Sequence, residues 1–317
     1  MRNSDERDLA AAISEAIYQL RDHEAGTPLP DDELASVLDQ WERLLKQNAD
    51  RHLTRTVHHF ACTGGTLISR AITLIPNVVL LSEIDPLSTM HIRESRRDNF
   101  APTDLILALR NSLRSASQED ICHVFLAALG SILELTIRRG QYLVLRDHAH
   151  SHFCTRQDPV KRPTLRQIIA DSFPLRSIVT VRHPLNSFIS LRRLGWNCHF
   201  NPPTLDEYAS RYISFIERHK GVRIFRYEDF VASPERQLEE MCMELSLPYV
   251  HGLLDMLSIV KLTGDSGRSG DVIATRPQRA VPDALALELS QAPNFERLCE
   301  TLGYDPARSS DPRERAI

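Results

Sequence analysis

From residue 55 onward, two kinds of apolar pattern alternate along the chain. Short runs dominated by Val, Ile and Leu predict β-strands in TVHHFACT, NVVLLSEI, QYLVLRD, RSIVTVRHP and GVRIFRYEDF. Between them, apolar residues recur at helical spacing in QEDICHVFLAALGSILELTIRRG, TLRQIIADSF, NSFISLRRLGW and SPERQLEEMCMELSL. Near-continuous apolar strands separated by helices are typical of a parallel sheet that is covered on both faces. We therefore predict an α/β fold with a mostly parallel central sheet flanked by helices.

The first 50 residues follow a different pattern and predict a helical pair ahead of this fold. One helix is indicated by four apolar residues at helical spacing, which are Leu9, Ile13, Ile17 and Leu20. After the breaking segment GTPLPDD, a second helix begins at about Asp31. We predict two domains, an acidic N-terminal helical pair in residues 1–50 and the α/β domain in residues 51–317. The pair either packs on the main domain or provides a surface for a homodimer or another partner.

The net charge of −4 is unevenly distributed, and its distribution limits the class of ligand. Residues 1–50 hold 5 Lys and Arg against 12 Asp and Glu, so the rest of the chain is slightly basic. Much of that basic charge is clustered, for example in RESRR and in RHPLNSFISLRR. No long basic tract and no interleaving of aromatic and basic residues indicates nucleic acid. A localised basic pocket suits a small polyanion better.

Composition and cysteine usage favour a soluble, cytoplasmic protein. Apolar residues make up 42% of the chain, and the opening MRNSDERD lacks the apolar core of a secretory signal. The longest apolar stretches, around Val78 to Leu81, are too short to cross a bilayer, so we expect no membrane span. The six cysteines never form a C-x-x-C pair, and reduced thiols are expected in place of disulfides or a metal centre.

The carboxyl ends of the predicted strands are where ligands bind in sheets of this kind. The first strand is followed by ACTGGTLISR, in which Gly64 and Gly65 precede a helix. A glycine pair at a helix N-terminus leaves backbone N–H groups to bind an anion, although a plain tight turn explains the same residues. The pattern G-x-x-x-x-G-K-[ST] is absent, which disfavours an ATP-dependent phosphotransferase.

A second anion site is indicated by SIVTVRHPLNSFISLRR. Arg182 follows a predicted strand, Pro184 begins the next helix, and Ser190 lies about two helical turns further on. A guanidinium and a helix hydroxyl form a suitable clamp for a phosphate monoester. A surface arginine beside an unrelated helix serine is the alternative. Two separate anion sites fit a ligand with two phosphate-like ends.

Taken together, these segments resemble the sulfotransferases that use 3′-phosphoadenosine 5′-phosphosulfate (PAPS). The first motif of that family is similar to Cys62-Thr63-Gly64-Gly65-Thr66, and the second matches Arg182 with Ser190. A Tyr-Glu-Asp element after a strand matches Tyr227-Glu228-Asp229, and an Arg-x-Gly loop is similar to Arg268-Ser269-Gly270. The four motifs follow the family's order over most of the α/β domain.

The resemblance implies a P-loop-like sulfotransferase fold and a nucleotide-binding transferase that moves a sulfonate group from PAPS to a hydroxyl or amine. The acceptor would be a small molecule, a glycan or a peptide, and adenosine 3′,5′-bisphosphate (PAP) would be the product. The same resemblance implies roles for individual residues. The 5′-phosphosulfate would be held by Thr63, Gly64, Gly65, Thr66 and Leu67, the 3′-phosphate by Arg182, Ser190, Arg268, Ser269 and Gly270, and the adenine would lie near Tyr227.

The cation that the family carries in its first motif is missing here, because Cys62 stands at that position. Sulfonate transfer needs positive charge where the leaving oxygen becomes negative, and a thiol cannot supply it. The segment VLRDHAH is similar to the lysine-containing strand end of the tyrosylprotein sulfotransferase branch, so Arg146 is a candidate replacement. The same departure leaves open a nucleotide-binding module that has lost catalysis.

The acceptor also needs a general base, and two residues are candidates. Glu83 lies seven residues after Pro76, as in the tyrosylprotein branch, and it ends a predicted strand. His148 corresponds to the histidine of cytosolic sulfotransferases, and imidazole titrates in a useful range. We favour Glu83 because the surrounding spacing resembles the glutamate branch. No metal is required for this chemistry.

Overall fold

A computed structural model describes residues 50–90, 101–114, 116–260, 273, 281 and 283–306. The chain divides into two compact units, Met1–Asn48 and Ala49–Ile317, and the described residues all belong to the second. The predicted N-terminal helical pair and the motif Arg268-Ser269-Gly270 lie outside the described residues.

Within these residues, five strands form a single sheet in the order β2-β3-β1-β4-β5. Their bounds are β1 Thr54–His59, β2 Val78–Ile84, β3 Tyr142–Asp147, β4 Leu175–Val181 and β5 Arg223–Arg226. Each pair of neighbours in this sheet is parallel. The prediction of an α/β fold with a parallel central sheet is therefore confirmed.

Helices connect the strands and complete the domain. They are α1 Gly65–Thr73, α2 Leu105–Arg110, α3 Gln118–Arg138, α4 Ala149–Phe153, α5 Leu165–Ala170, α6 Pro184–Arg193, α7 Leu205–Arg218, α8 Tyr227–Ala232, α9 Pro234–Glu244, α10 Asp283–Leu289 and α11 Pro293–Leu302. Short 3₁₀ turns lie at Pro159–Lys161, Trp196–His199 and Leu253–Ile259. The N-termini of α3 and α5 are fixed by capping boxes built on Ser117 and Thr164.

The central strands β1 and β3 are buried on both faces, because successive strand residues point to opposite sides and both sides are covered. On one side, Val144 and Ile178 pack with residues of α1 and α9. On the other side, Leu143 and Leu145 pack with α3 and α5. A further cluster joins Val181 to α6, α7 and α11. This two-sided burial explains why the strands are near-continuous apolar runs in the sequence.

The order of the strands makes the carboxyl end of β1 the expected place for a ligand. From β1 the chain moves past the position of β3 to the edge strand β2, and then returns to form β3. It next crosses to the other side of β1 to form β4 and β5. The loop after β1 therefore has the end of β3 on one side and the end of β4 on the other.

The end of β5 differs from the prediction. The predicted strand GVRIFRYEDF stops at Arg226, and Tyr227 begins α8. The first turn of α8 holds Glu228 and Asp229, and acidic residues are stabilising at a helix N-terminus. The second half of that apolar run therefore belongs to a helix.

Helix α3 is more apolar over a longer stretch than we expected from the sequence. Among the described residues, it is the one helix that is long and apolar enough to cross a membrane. Of its most apolar stretch of 18 residues, 22% are buried. α3 packs on the sheet through Leu129 and Leu133, which are among its few buried residues. The identification of Val78 to Leu81 as the longest apolar stretch was wrong, and the lack of a membrane span stays a prediction.

Candidate active site at the carboxyl ends of the strands

The loop between β1 and α1 turns back sharply because its residues bond to one another. Thr63 donates from its N–H and from its hydroxyl to the Phe60 carbonyl, at 3.3 and 2.7 Å. The Leu67 N–H donates to the Gly64 carbonyl at 3.0 Å. Thr63 and Leu67, both predicted to hold the 5′-phosphosulfate, therefore use their N–H groups within the loop, and the N–H groups of residues 64–66 are the better placed candidates for an anion. The first N–H groups of a helix lack acceptors within the helix, so this end of α1 suits an anion.

Both glycines of the loop are required by their surroundings. Gly64 has a φ of 88°, and a Cβ on it would lie 2.2 Å from Cδ2 of Tyr227. A Cβ on Gly65 would lie 2.2 Å from Cγ of His59. The backbone of the loop therefore rests directly on two rings, which only glycine permits.

Arg146 provides a buried cation next to this loop. It lies in β3 beside β1, and its side chain is 4% exposed. Its Nη1 atom is 2.7 Å from Glu83 Oε1 and 3.0 Å from Ser82 Oγ. Its Nη2 atom donates to Thr66 Oγ1 at 2.9 Å and lies 3.2 Å from His59 Nε2. One guanidinium thus joins the loop to the end of β2, which the planar fork of arginine allows.

Arg146 supplies positive charge beside the loop, although Cys62 stands where the family's first motif carries a cation. Cys62 has a φ of 64°, and its side chain packs against the apolar cluster that includes residues of α6 and α7. Positive charge reaches the loop instead from the neighbouring strand, through the bond between Arg146 and Thr66. This geometry suits the role that the resemblance implied for Arg146.

The two candidate bases are neighbours in the structure. Glu83 Oε2 lies 3.3 Å from His148 Nε2, while Glu83 Oε1 contacts Arg146. The side chains of Glu83 and His148 are 23% and 25% exposed, so an acceptor can reach either of them. A carboxylate, a cation and the N-terminal end of α1 therefore meet at one point, an arrangement that suits proton removal next to a stabilised leaving group.

Glu83 reaches Arg146 because β2 contains a β-bulge. The register between β2 and β3 shifts between Leu81 and Ile84, so Ser82 and Glu83 both stand opposite Arg146. Glu83 has a φ of 60°, in the left-handed region that residues with a Cβ seldom adopt. A β-bulge redirects a side chain, and strained backbone concentrates at functional sites.

His59 and Ser82 belong to this cluster, although neither was predicted. Burial, followed by the charge of Arg146, lowers the pKa of His59 well below its usual value, so the ring is neutral. A neutral ring can accept the Arg146 N–H at Nε2. The sequence did indicate that His58 and His59 occupy opposite faces of the sheet, because successive side chains of a strand alternate. His58, on the other face, lies with its Nδ1 2.7 Å from Asp147 Oδ2 in the core.

A second group of predicted residues lies on the β4 side of the loop. The guanidinium carbon of Arg182 is 4.8 Å from the centre of the Tyr227 ring, and that ring covers Gly64. The Arg182 N–H donates to the Tyr212 hydroxyl oxygen at 3.2 Å. Ser190 is buried, and its hydroxyl donates to a carbonyl of α6 at 2.9 Å. The structure thus brings Arg182 and Tyr227 together beside the loop and gives Ser190 a bond within its own helix.

Glu228, to which we assigned no separate role from the sequence, fixes the segment that carries Arg182. Its Oε1 atom accepts a hydrogen bond from the His183 N–H at 3.0 Å. Its Oε2 atom accepts one from the Tyr304 hydroxyl, just after α11, at 2.8 Å. The end of β4 is therefore tied to both α8 and the C-terminal part of the domain.

Solved structures that are similar to this chain are sulfotransferases, at low identity. The sulfotransferase domain of the Synechococcus PCC 7002 olefin synthase is 17% identical over 80% of this chain and 94% of that domain, with a TM-score of 0.47. The sulfotransferase domain of the curacin biosynthetic pathway is 18% identical, over 80% and 98%, with a TM-score of 0.44. A sulfotransferase from Alicyclobacillus acidocaldarius is 15% identical, over 80% and 96%, with a TM-score of 0.43.

No protein-family model and no curated protein matches the sequence. Because the TM-scores are below 0.5 and the identities below 20%, the activity has to be argued from the residues of this chain. The special likeness to the tyrosylprotein branch stays a prediction.

Proposed function

We propose that this protein is a sulfotransferase that moves a sulfonate group from PAPS to an acceptor hydroxyl or amine. One observation carries the proposal: the Arg146 guanidinium bonds Thr66 of the anion-binding loop and also contacts the Glu83 carboxylate. A site for the donor anion, a cation for the leaving oxygen and a base for the acceptor are thereby gathered together. The resemblance of four motifs to one family supports the same activity.

The residues on the two sides of the loop suit a nucleotide with two separate anionic groups. On the β3 side, Thr66 and Arg146 lie next to the N-terminus of α1 and suit the phosphate–sulfate group. On the β4 side, Arg182 lies over Tyr227 and offers a guanidinium for a phosphate. PAPS, when bound, supplies an activated sulfonate group. ATP carries its phosphates in one chain, so it would leave one of the two sides without a partner.

Glu83 is the residue to which we assign the acceptor's proton. As the acceptor oxygen forms its bond to sulfur, the bond from sulfur to the phosphate oxygen breaks, and that oxygen becomes negative. Arg146 and Thr66 are bonded to each other beside the loop, where they can stabilise this charge. His148 contacts the second oxygen of Glu83 and orients it, and His148 is the alternative base.

The acceptor in this proposal is a small molecule, a glycan or a peptide, and the enzyme acts in the cytoplasm. All six cysteines lie in the described part of the chain, and all six are free thiols. Free thiols are what a reducing compartment maintains, which supports the cytoplasmic location.

The proposal is tested by calorimetric titration of the protein with PAP and with ATP. We expect PAP to bind and ATP to bind much more weakly. Arg182→Ala is expected to weaken PAP binding, because the variant removes the guanidinium assigned to one phosphate. Arg176→Ala is the matched control, because Arg176 is an exposed arginine near the opposite end of the same strand, β4.

Turnover is then measured with radiolabelled PAPS, first with water and then with phenols, sugars and amines as acceptors. Release or transfer of sulfate with formation of PAP supports the proposal. Tight PAP binding without any turnover would identify a nucleotide-binding module that has lost catalysis. Equal affinity for PAP and ATP would contradict the assignment of two separate anion sites.

A further inference from the structure

We infer that Asp85, held by Arg162 and Ser151, is a positioning residue that keeps Glu83 directed at Arg146. The inference rests on the proposed function in one respect, namely that Glu83 acts as the base. The three residues Asp85, Arg162 and Ser151 are called the clamp below. None of them belongs to the motifs by which the chain resembles sulfotransferases.

The clamp begins at the residue that follows the bulged end of β2. Asp85 Oδ1 and Oδ2 each accept a bond from one Arg162 nitrogen, both at 2.7 Å. The side chains of Arg162 and Asp85 are 7% and 8% exposed, so solvent hardly screens the pair. Two parallel bonds to a carboxylate fix its orientation as well as its position. The chain is therefore anchored two residues after Glu83.

The clamp also fixes the segment that follows β3. Ser151, in α4, donates from its hydroxyl to Asp85 Oδ2. The His148 N–H, just before α4, donates to the Ile84 carbonyl at 3.0 Å. Because both bonds cross between the same two segments, the ends of β2 and β3 cannot slide past one another. Glu83 and His148 lie on these two ends.

The charge of the Asp85 carboxylate is maintained in its buried position. Burial alone would raise the pKa of Asp85, but the hydrogen bonds and charge of Arg162, with the Ser151 hydroxyl, hold it below the usual value. The carboxylate is therefore ionised at neutral pH and binds Arg162 as a charged pair. A buried pair of this kind fixes geometry even when it adds little stability.

A clamp at this place is needed because the bulge is strained. The left-handed φ of Glu83 is unfavourable by itself, and β2 without the bulge would not require that φ. If β2 loses the bulge, its register against β3 shifts by one residue. A shift of one residue turns a side chain to the opposite face of the sheet. Without the clamp, β2 can relax in this way, and Glu83 then points away from Arg146.

The test compares the intact chain with a variant that removes the clamp without leaving a buried charge. Asp85→Asn alone leaves Arg162 buried without its counter-ion, so Asp85→Asn is combined with Arg162→Gln. Ser151→Ala is a milder variant that removes the hydroxyl's contacts with Asp85 and with the His148 carbonyl and keeps the ion pair. Asp206→Asn is the control, since Asp206 accepts two bonds from Asn294 that join α7 to α11.

The first readout is the crystal structure of the double variant, or of Ser151→Ala if the double variant does not fold. We expect the contact between Glu83 and Arg146, which is 2.7 Å in the intact chain, to be lost or lengthened. An unchanged contact and an unchanged bulge would overturn the inference. This readout requires no enzymatic activity, so it decides the role of the clamp even if the protein proves not to be a sulfotransferase.

The second readout is PAPS turnover together with PAP affinity. Displacing a catalytic group by about 1 Å costs about 100-fold in rate, so we expect kcat to fall about 100-fold in the double variant. The KM for PAPS and the affinity for PAP should stay unchanged, because Arg182 and Tyr227 are not touched. A fall in kcat no larger than that of Asp206→Asn would overturn the inference. An intact chain that neither binds PAP nor consumes PAPS would refute the proposed function alone.

Discussion

At the scale of single residues, the candidate site depends on one side chain that serves several partners at once. Arg146 bonds Thr66 through one nitrogen and contacts Ser82 and Glu83 through the other. A lysine has the same charge, but it carries that charge on a single nitrogen at the end of a flexible stem. The shape of the cation therefore matters here as much as its charge.

We expect Arg146→Lys to lower kcat for PAPS turnover by about 10²- to 10³-fold, the usual loss for one donor to a leaving oxygen. The affinity for PAP should change much less, since Arg182 and the loop backbone remain. Steady-state rates with radiolabelled PAPS, alongside calorimetry with PAP, measure both quantities. Arg176→Lys, at an exposed position of β4, is the matched control. A wild-type rate in Arg146→Lys would show that the guanidinium fork is not required.

Glu83 and His148 can be separated by substitution, because each has its own contact. Glu83→Gln keeps the shape of the side chain and removes the basic carboxylate, so we expect a fall in kcat of about 10²- to 10⁴-fold. His148→Gln should have a smaller effect, since it disturbs only the orientation of Glu83. Exposed Glu134 in α3 provides the control substitution Glu134→Gln. The opposite order of effects would assign the proton to His148.

At the scale of elements, the strands and most helices could be predicted from the sequence, because burial on both faces leaves a clear apolar signal. The end of β5 was misjudged, since Tyr227, Glu228 and Asp229 follow the apolar run without a break. The β-bulge could not be predicted. Nothing in VVLLSEI departs from an ordinary strand, and the extra residue is apparent only against its neighbour β3.

The candidate site, too, could be predicted only where its residues lie at recognisable positions in the sequence. Arg182 was found as a polar residue at the end of a predicted strand, a position where function is expected in parallel sheets. Glu83 and Arg146 also end predicted strands, but the resemblance to the tyrosylprotein sulfotransferase branch is what selected them. His59 was not predicted, because strand alternation indicates which face of the sheet it occupies but not that the loop folds back onto that face. The clamp joins segments far apart in the chain, and a single sequence carries no signal for such a pairing.

The loop after β1 allows a prediction that separates backbone strain from packing. Gly64 and Gly221 have φ values of 88° and 83°, and a Cβ would meet Tyr227 at Gly64 but nothing within 4 Å at Gly221. Alanine at either position should cost about 1–2 kcal/mol in the free energy of unfolding for the left-handed conformation. Gly64→Ala should also displace Tyr227, an overpacking that weakens PAP binding about tenfold or more.

These two alanine variants are compared by urea unfolding and by calorimetry with PAP. Gly221→Ala should keep the affinity of the intact chain, because Gly221 precedes β5 and so lies at the opposite end of that strand from Tyr227. Equal affinities in both variants would mean that the contact between Gly64 and Tyr227 does not shape the nucleotide site.

At the scale of the whole molecule, several histidines are buried in the neutral form. Burial lowers the pKa of His58 and of His219 to about 3 and that of His152 to about 4. In the unfolded chain these groups bind protons below about pH 6.5, whereas the folded chain does not bind them there. The free energy of unfolding must therefore fall as the pH decreases below 6.5. Asp147 opposes this, since burial raises its pKa to about 7 and its folded form retains a proton that the unfolded form loses.

His59 acts in the same direction, since burial also lowers its pKa well below the usual value. With these histidines acting in one direction and Asp147 in the other, we expect a loss of at least about 3 kcal/mol between pH 6.5 and pH 5. Urea unfolding at a series of pH values measures this slope. His219→Gln should make the slope smaller, and His123→Gln, at an exposed position of α3, should leave it unchanged. A slope that His219→Gln does not alter would place the pH dependence elsewhere in the molecule.

The sharing of Arg146 between the loop and Glu83 has a consequence for the order of events during a catalytic cycle. Any anion that arrives at the loop competes with the carboxylate for the same guanidinium. If the protein works as we propose, the carboxylate is drawn away from its ion pair only once the sulfonate donor is seated. We therefore expect ordered addition of the two substrates, with the nucleotide binding first and the acceptor second. An acceptor that binds alone would meet Glu83 while it is still paired with Arg146.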